Sequence, residues 1–310
     1  MATRELKVFL FGIILIGGGL FAFFHGFFQL RKKRLIENTP TSTIRGLAMG
    51  LTELIGKAKQ YLSIYSPLTN TACCYYEYTI EKYKRTGKRK EWVIIAKDNS
   101  ENIPFILEDE TGKILVSPKS AEKFFKKENY SYTTGIGRPI PWNILGFMDT
   151  LHIRYTGFWN KGKFRFKEWC IIPEQTIYVL GDAQESKDLL GKFKQELDEN
   201  FDKLLVDPLS TEELDLNKDG KISPDEWVTA KRNIEKKTME TLKEIDNHGG
   251  LADVIISKSK QNNTYILSEY SQKGLINKIF WTLFFNIYGG IAISLSGLAL
   301  TLFVLKGGLK

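Results

Sequence analysis

Asp215, Asn217 and Asp219 stand at alternate positions of the run DLNKDGKISPDE, which closes on Glu226. Alternate side chains of a tight loop reach the same side, so these three can converge their oxygens on one point. Lys221 adds a main-chain carbonyl, Ser223 stands at the ninth position, and Glu226 supplies two carboxylate oxygens at once. A hard divalent cation takes six to eight oxygens at about 2.3–2.6 Å, and Ca2+ is the ion this donor set suits. Gly220 falls where such a loop must turn sharply, and Ile222 is placed for the short β bridge that pairs such loops. The competing reading is an acidic turn capped by Ser and Asp. That every position is filled acceptably favours the metal.

The spacing is that of an EF-hand, which needs a helix on each side. The exiting helix starts near Pro224, buries Trp227, Ala230, Ile234, Leu242 and Ile245, and stops at Gly249-Gly250. Upstream, Leu190, Phe193, Leu197, Phe201 and Leu204 recur at steps of three and four, the stripe of an amphipathic helix. Pro208 then leaves only a short entering turn, Ser210 to Leu214, with Ser210 and Glu213 as a capping box. EF-hands usually work in pairs and the sequence shows one loop. A weak site, a site completed in a homodimer and a structural site all remain open.

Hydrophobic runs at both ends carry this segment. Val8 to Leu30 reads VFLFGIILIGGGLFAFFHGFFQL, long enough as a helix to cross a ~30 Å hydrocarbon core. A cleaved signal peptide is the alternative. The length of the run, the lack of a small-x-small cleavage site and the block Arg31, Lys32, Lys33, Arg34 argue for an uncleaved anchor. Ile279 to Leu305 is a second run of spanning length. Small residues let membrane helices approach. Gly18, Ala22 and Gly26 share one face, as do Gly290, Ser294 and Gly297, so pairing through these stripes is set against glycine simply being common in such helices. His25 is read as polar glue rather than a proton relay. By the positive-inside rule, Arg31 to Arg34, Arg45, Lys273 and Lys278 outweigh Arg4, Lys7, Lys306 and Lys310, which places the middle domain in the cytoplasm.

The chain has 310 residues and a net charge of +8. That charge suits anionic lipid headgroups near Arg31, Lys32, Lys33 and Arg34. No helix-turn-helix, zinc-finger or aromatic RNP pattern supports nucleic acid as a partner. Cys73 and Cys74 are adjacent, with Cys170 distant, so a disulfide framework is excluded and the adjacent pair reads as two small hydrophobes. No GxSxG, HExxH or P-loop is present, and nothing argues for an enzyme.

The middle alternates short β segments with turns. Leu51 to Ala58 predicts a first strand. Ala72 to Lys84 and Trp92 to Ala96 predict a hairpin around Arg85-Thr86-Gly87-Lys88. Pro104 to Glu108 and Lys113 to Val116 predict another around Asp109-Glu110-Thr111-Gly112, whose glycine is suited to a positive φ. Lys163 to Trp169 and Thr176 to Leu180 add two more strands. Lys119 to Lys127 reads as a solvated face, and His152 and His248 have no partners at ligand spacing. The fold class expected is α+β: a mostly antiparallel, β-rich soluble domain plus a helical EF-hand segment, flanked by two transmembrane α-helices.

The runs TSTIRGLAMGLTELIGKAK, SPLTNTACCYYEYTIEKY, PFILEDETGKILVSP and KEWCIIPEQTIYVLGDA resemble the GIDE domain, also called Beside-A-Membrane. The resemblance covers about residues 40–183 and resumes from about Ile255 through the Gly289-Gly290 helix. It implies a domain between two membrane helices, as in a mitochondrial E3 ubiquitin ligase, and one lying outside the cytosol. The ligase chemistry is not implied. A RING needs eight Cys or His ligands, whereas this sequence has three of each, and five residues follow the second run where the family's RING stands. The domains expected are a membrane helix at 8–30, a GIDE-like domain at 40–184, the EF-hand segment at 185–250, a return to the GIDE-like region at 251–278, and a membrane helix at 279–305. The function expected is a calcium-binding scaffold or sensor, integral to the membrane with two passes, whose β domain binds a protein or lipid partner. The alternative is a component of an E3-ligase-like or other enzymatic system.

Overall fold

The structure is a computed structural model that describes residues 3–86, 89–135, 137–155, 163–185, 251–259 and 264–306. The chain divides into two units, residues 41–269 and the two ends, 1–40 with 270–310.

The end unit is a pair of helices. α1 (Thr3–Asn38) and the last helix, numbered α3 here (Gln272–Leu305), have mean hydropathies of 2.2 and 1.9 over their most apolar stretches and are long enough to cross a membrane. Both exceed the apolar runs expected from sequence. α1 continues through the basic block, where Lys33 pairs with Glu37 one turn on at 2.6 Å, and α3 begins at a Ser271 cap whose side chain accepts from Gly274. Gln272 Nε2 donates to the Ile36 carbonyl at 3.0 Å. That bond ties the end of one helix to the start of the other.

In the middle unit the strands make two main sheets, with burial alternating along Phe164–Ile171 and continuous along Phe105–Leu107 and Ile177–Gly181. The first contains β1 (Gly50–Lys59), β6 (Phe105–Glu108), β7 (Lys113–Val116), β8 (Glu122–Phe124), β11 (Thr176–Glu185), β12 (Leu251–Ser257) and β13 (Ile266–Ser268). Its pairings run β1–β6–β7–β12–β11 and back to β1, so five strands form a closed ring, which β13 and β8 extend. Most pairings are antiparallel; β12 with β7 and β13 with β8 are parallel. The principal core gathers Leu54, Phe105, Leu107, Ile114, Val116, Ile177, Val179, Ile256 and Leu267. β11 and β12 are antiparallel neighbours, with Glu185 opposite Val254.

The second sheet has the order β5-β4-β10-β9, from β4 (Tyr75–Thr86), β5 (Arg89–Asn99), β9 (Tyr130–Thr133) and β10 (Phe164–Ile171). One helix, α2 (Trp142–Thr150), covers its apolar face, with Ile144 and Met148 packed on Tyr78, Ile80, Phe164 and Phe166. A small pair, β2 (Ile64–Tyr65) with β3 (Ala72–Cys73), stands in a third cluster that joins the sheets through Cys73, Ile106, Leu115, Cys170 and Ile255.

Two expected turns differ. The β4–β5 hairpin is tighter than Arg85 to Lys88, because pairing persists to Thr86 opposite Arg89. In the β6–β7 turn Gly112 is not among the glycines at positive φ. The Asp109 carboxylate closes this turn instead, taking N–H bonds from Thr111 at 2.7 Å and Gly112 at 2.9 Å, as an Asx turn does.

Candidate functional site

Asp215, Asn217, Asp219, Lys221, Ser223 and Glu226 fall in 186–250, outside the described residues. His248 and the amphipathic stripe from Leu190 to Leu204 fall there too. The described parts on either side are Glu185 and Leu251, on adjacent strands. Among the described residues no group of three His, Cys, Asp or Glu is placed to hold a metal.

The helix pair realises its small-residue stripes with one correction. A Cβ on Gly19 would meet the Gly290 carbonyl at 2.5 Å, and one on Gly290 would meet the Gly19 carbonyl at 2.6 Å. Gly12 approaches Gly297 and Thr301 in the same way, and Gly26 approaches Ile287. The face on α1 is therefore Gly12, Gly19 and Gly26, seven residues apart. Gly18, expected in this interface, has nothing within 4 Å of the place a Cβ would take. The partner residues Gly290, Ser294 and Gly297 are as expected, and Ser294 Oγ donates to the Ile16 carbonyl at 3.3 Å. His25 is exposed and stacks on Phe21 at 6.3 Å, so it does not join the helices.

Two buried carboxylates went unpredicted. Glu168 on β10 is fully buried. It accepts from Leu68 N–H at 2.7 Å, Ser66 Oγ at 3.0 Å and Thr69 Oγ1 at 2.5 Å. Burial raises its pKa, and the donors of the Ser66 to Thr69 loop pull the other way without prevailing. With its acceptor sites occupied, Glu168 braces a loop and is not positioned as a base. Glu53 on β1, also fully buried, accepts from Thr41 Oγ1 at 2.6 Å and Tyr178 OH at 2.7 Å. Burial and then Glu53 push the Tyr178 phenol up. The hydroxyl run SPLTNT was the available sign of the first site, but hydroxyls that brace a carboxylate read in sequence like any polar turn.

The cysteines lie where small hydrophobes would. Cys73, Cys74 and Cys170 are buried free thiols. The neighbouring Cys170 thiol, then burial, push Cys73 far up, and burial pushes Cys74 up to about 12. Cys73 and Cys74 are thus poor nucleophiles. Lys123, read from sequence as solvated, turns inward over the Tyr75 ring at 4.9 Å, and burial lowers its pKa.

A cavity of about 410 Å³ opens after α2, lined by Asp149, His152, Ile153, Arg154 and Tyr155. Tyr155 OH donates to Asp149 Oδ2 at 3.2 Å. His152 sits at φ 53°. The lining mixes two basic residues with one carboxylate and has no thiol or Ser/Thr nucleophile.

No curated protein and no solved structure matches the chain. The family model that matches is GIDE, described as an E3 ubiquitin ligase, over residues 75–214. Its described part includes strands β4 and β5, the β6–β7 hairpin, α2, Glu168 on β10 and all of β11. The region between the two apolar helices of this chain therefore carries a GIDE-family domain.

Proposed function

We propose that this chain is a two-pass membrane protein that presents its GIDE domain as a binding scaffold at the membrane surface, with Ca2+ regulating the inserted segment. The observation that carries the reading is the bracketing of a β-rich GIDE domain, in sequence, by two helices long enough to span. Calcium rests on the donor spacing of Asp215, Asn217, Asp219, Lys221, Ser223 and Glu226. The segment leaves from β11 and returns on β12, so its ordering would act on a strand pair that belongs to the core. Anionic headgroups beside Arg31 to Arg34 and a second copy of the chain are further expected partners. Alkaline carbonate extraction tests the anchoring, and a chain released from membranes would end the reading. Protease accessibility in intact cells decides the side, on which local charge and family resemblance disagree. Calorimetric titration of Ca2+ into the full chain in detergent tests the regulator, and no heat at millimolar Ca2+ would remove it.

The family description supports a second reading, a component of a ubiquitin-transfer system. With three Cys and three His in the sequence, too few for two RING zincs, this chain would act beside a separate catalytic subunit. Discharge of ubiquitin from a loaded conjugating enzyme by this chain together with a RING protein, and by neither alone, would favour it.

A further inference from the structure

β5 is the outermost strand of its sheet, and among the described residues it pairs with β4 alone. Register shows which of its backbone groups face outward. Tyr83 on β4 gives its N–H to the Lys163 carbonyl on the β10 side. In an antiparallel ladder its partner Trp92 must then turn its own N–H and C=O away from β4. Alternation gives Lys90 and Ile94 the same orientation. Tyr76, at the opposite parity on β4, accepts from Ser100 on the β5 side, as this assignment requires. A bulge at Ile95 ends the regular stretch, because pairing skips from Ala96 to Ile94. The open template is Arg89 to Ile94.

Its chemistry is uneven along its length. Ile94 is 52% exposed, and Trp92 to Ala96 carry no charge, where natural edges are usually blunted by charge or proline. Trp92 is held in place, with Tyr83 edge-on at 5.2 Å and the Arg165 guanidinium over its ring at 4.0 Å. The far end is basic. Lys82, Lys84, Arg85, Arg89 and Lys90 crowd the two strands, Glu91 is the one acid between Lys82 and Ile94, and the nearby Glu81 is neutralised by Arg165 and Lys167.

We propose that this edge takes up an extended acidic peptide of a protein partner as an added strand. The proposal rests on reading the domain as a binding scaffold and gives that scaffold's partner its chemistry. Outward main-chain groups at alternate residues pair with another main chain, the apolar stretch takes alternate side chains, and the basic end selects carboxylates. A polyanion such as single-stranded DNA would meet the cations and leave the backbone groups as they were.

The test keeps the full chain in detergent and uses fluorescein-labelled (Val-Glu)4, blocked at both ends, with anisotropy as the readout. Saturable binding is expected, at least about tenfold weaker for (Val-Lys)4 and for the same acidic peptide N-methylated at alternate residues. I94P removes an outward N–H at an edge position where proline is tolerated, so it is expected to keep its circular dichroism and lose the peptide. The double variant R89E/K90E retains every backbone group and is expected to prefer (Val-Lys)4, which decides the matter if I94P fails to fold. Equal binding of the methylated peptide, tighter binding of oligo-dT, indifference to both variants, or no binding at millimolar peptide would each overturn the proposal. A chain that survives carbonate extraction yet takes no peptide loses only this inference; one that washes out of membranes loses the scaffold reading as well.

Discussion

Gly19 of α1 and Gly290 of α3 approach each other so closely that a methyl group on either would run into the other's carbonyl oxygen, at 2.5 and 2.6 Å. Backbone cannot swing aside as a side chain can. Gly19→Ala is therefore expected to weaken the helix pair by about 1–3 kcal/mol, while Gly18→Ala, with open space around it, leaves it intact. Cysteine cross-linking between the helices in detergent compares the two variants directly. Equal cross-linking would sink the interface.

Glu168 offers a test of polar bracing. Removing the carboxylate as Glu168→Ala leaves Leu68 N–H without its acceptor and Ser66 and Thr69 with only each other and Thr71, which costs about 2–4 kcal/mol. The pH dependence has a definite sign. Burial raises this pKa in the folded state, so its contribution to stability is present below the ordinary carboxylate value and is lost as pH rises through the raised one. Thermal melts of wild type and Glu168→Gln are thus expected to converge as pH climbs from about 4.5 upward, since only the wild type loses stability there. A gap that stays constant would show that the group does not titrate differently on folding.

Asp109 carries the opposite sign. Burial alone would raise its pKa, but bonds from Thr111, Ile44 and Gly112 outweigh it and hold the carboxyl below the ordinary range. Stability from Asp109 is present at neutral pH and fades only as pH falls below the usual carboxylate value. Asp109→Ala frees the Ile44 N–H along with the turn. A loss of about 1 kcal/mol is expected, modest because the site is partly open to water. Denaturant melts at neutral and acidic pH check it, the difference shrinking in acid.

The thiols give a simple readout. With all three thiols buried and those of Cys73 and Cys74 pushed up, the folded chain is expected to release no thionitrobenzoate from Ellman's reagent at pH 8, and all three cysteines to react in denaturant. Prompt reaction of the native protein would contradict the burial described.

Much of this architecture could be read in the sequence, because it follows from local pattern. The apolar runs gave the two helices, β-prone residues on either side of turn signals gave the hairpins, and alternation gave the strand around Phe164 and Phe166. What escaped depends on distant partners. The closed ring needs β11 to pair with β1 across more than a hundred residues, and no local signal records that. Gly19 rather than Gly18 was invisible because adjacent glycines look alike until helix rotation is fixed. Alternation puts Glu168 on the inward face of Phe164 and Phe166, but what satisfies a carboxylate there, the loop from Ser66 to Thr69, lies far off in sequence. The calcium donors are the reverse case: their spacing is explicit in the sequence and they lie outside the described residues.

Glu185 and Val254 are cross-strand partners, so the chain between them departs and re-enters at nearly one point. To the rest of the protein that long excursion is topologically a hairpin turn. The entropy of closing a loop between two such partners grows only slowly with its length. Replacing 187–252 with Asn-Gly would keep Glu185 opposite Val254 but would remove Leu251, the partner of Ile114 on β7, so the graft is anchored on two strands at once.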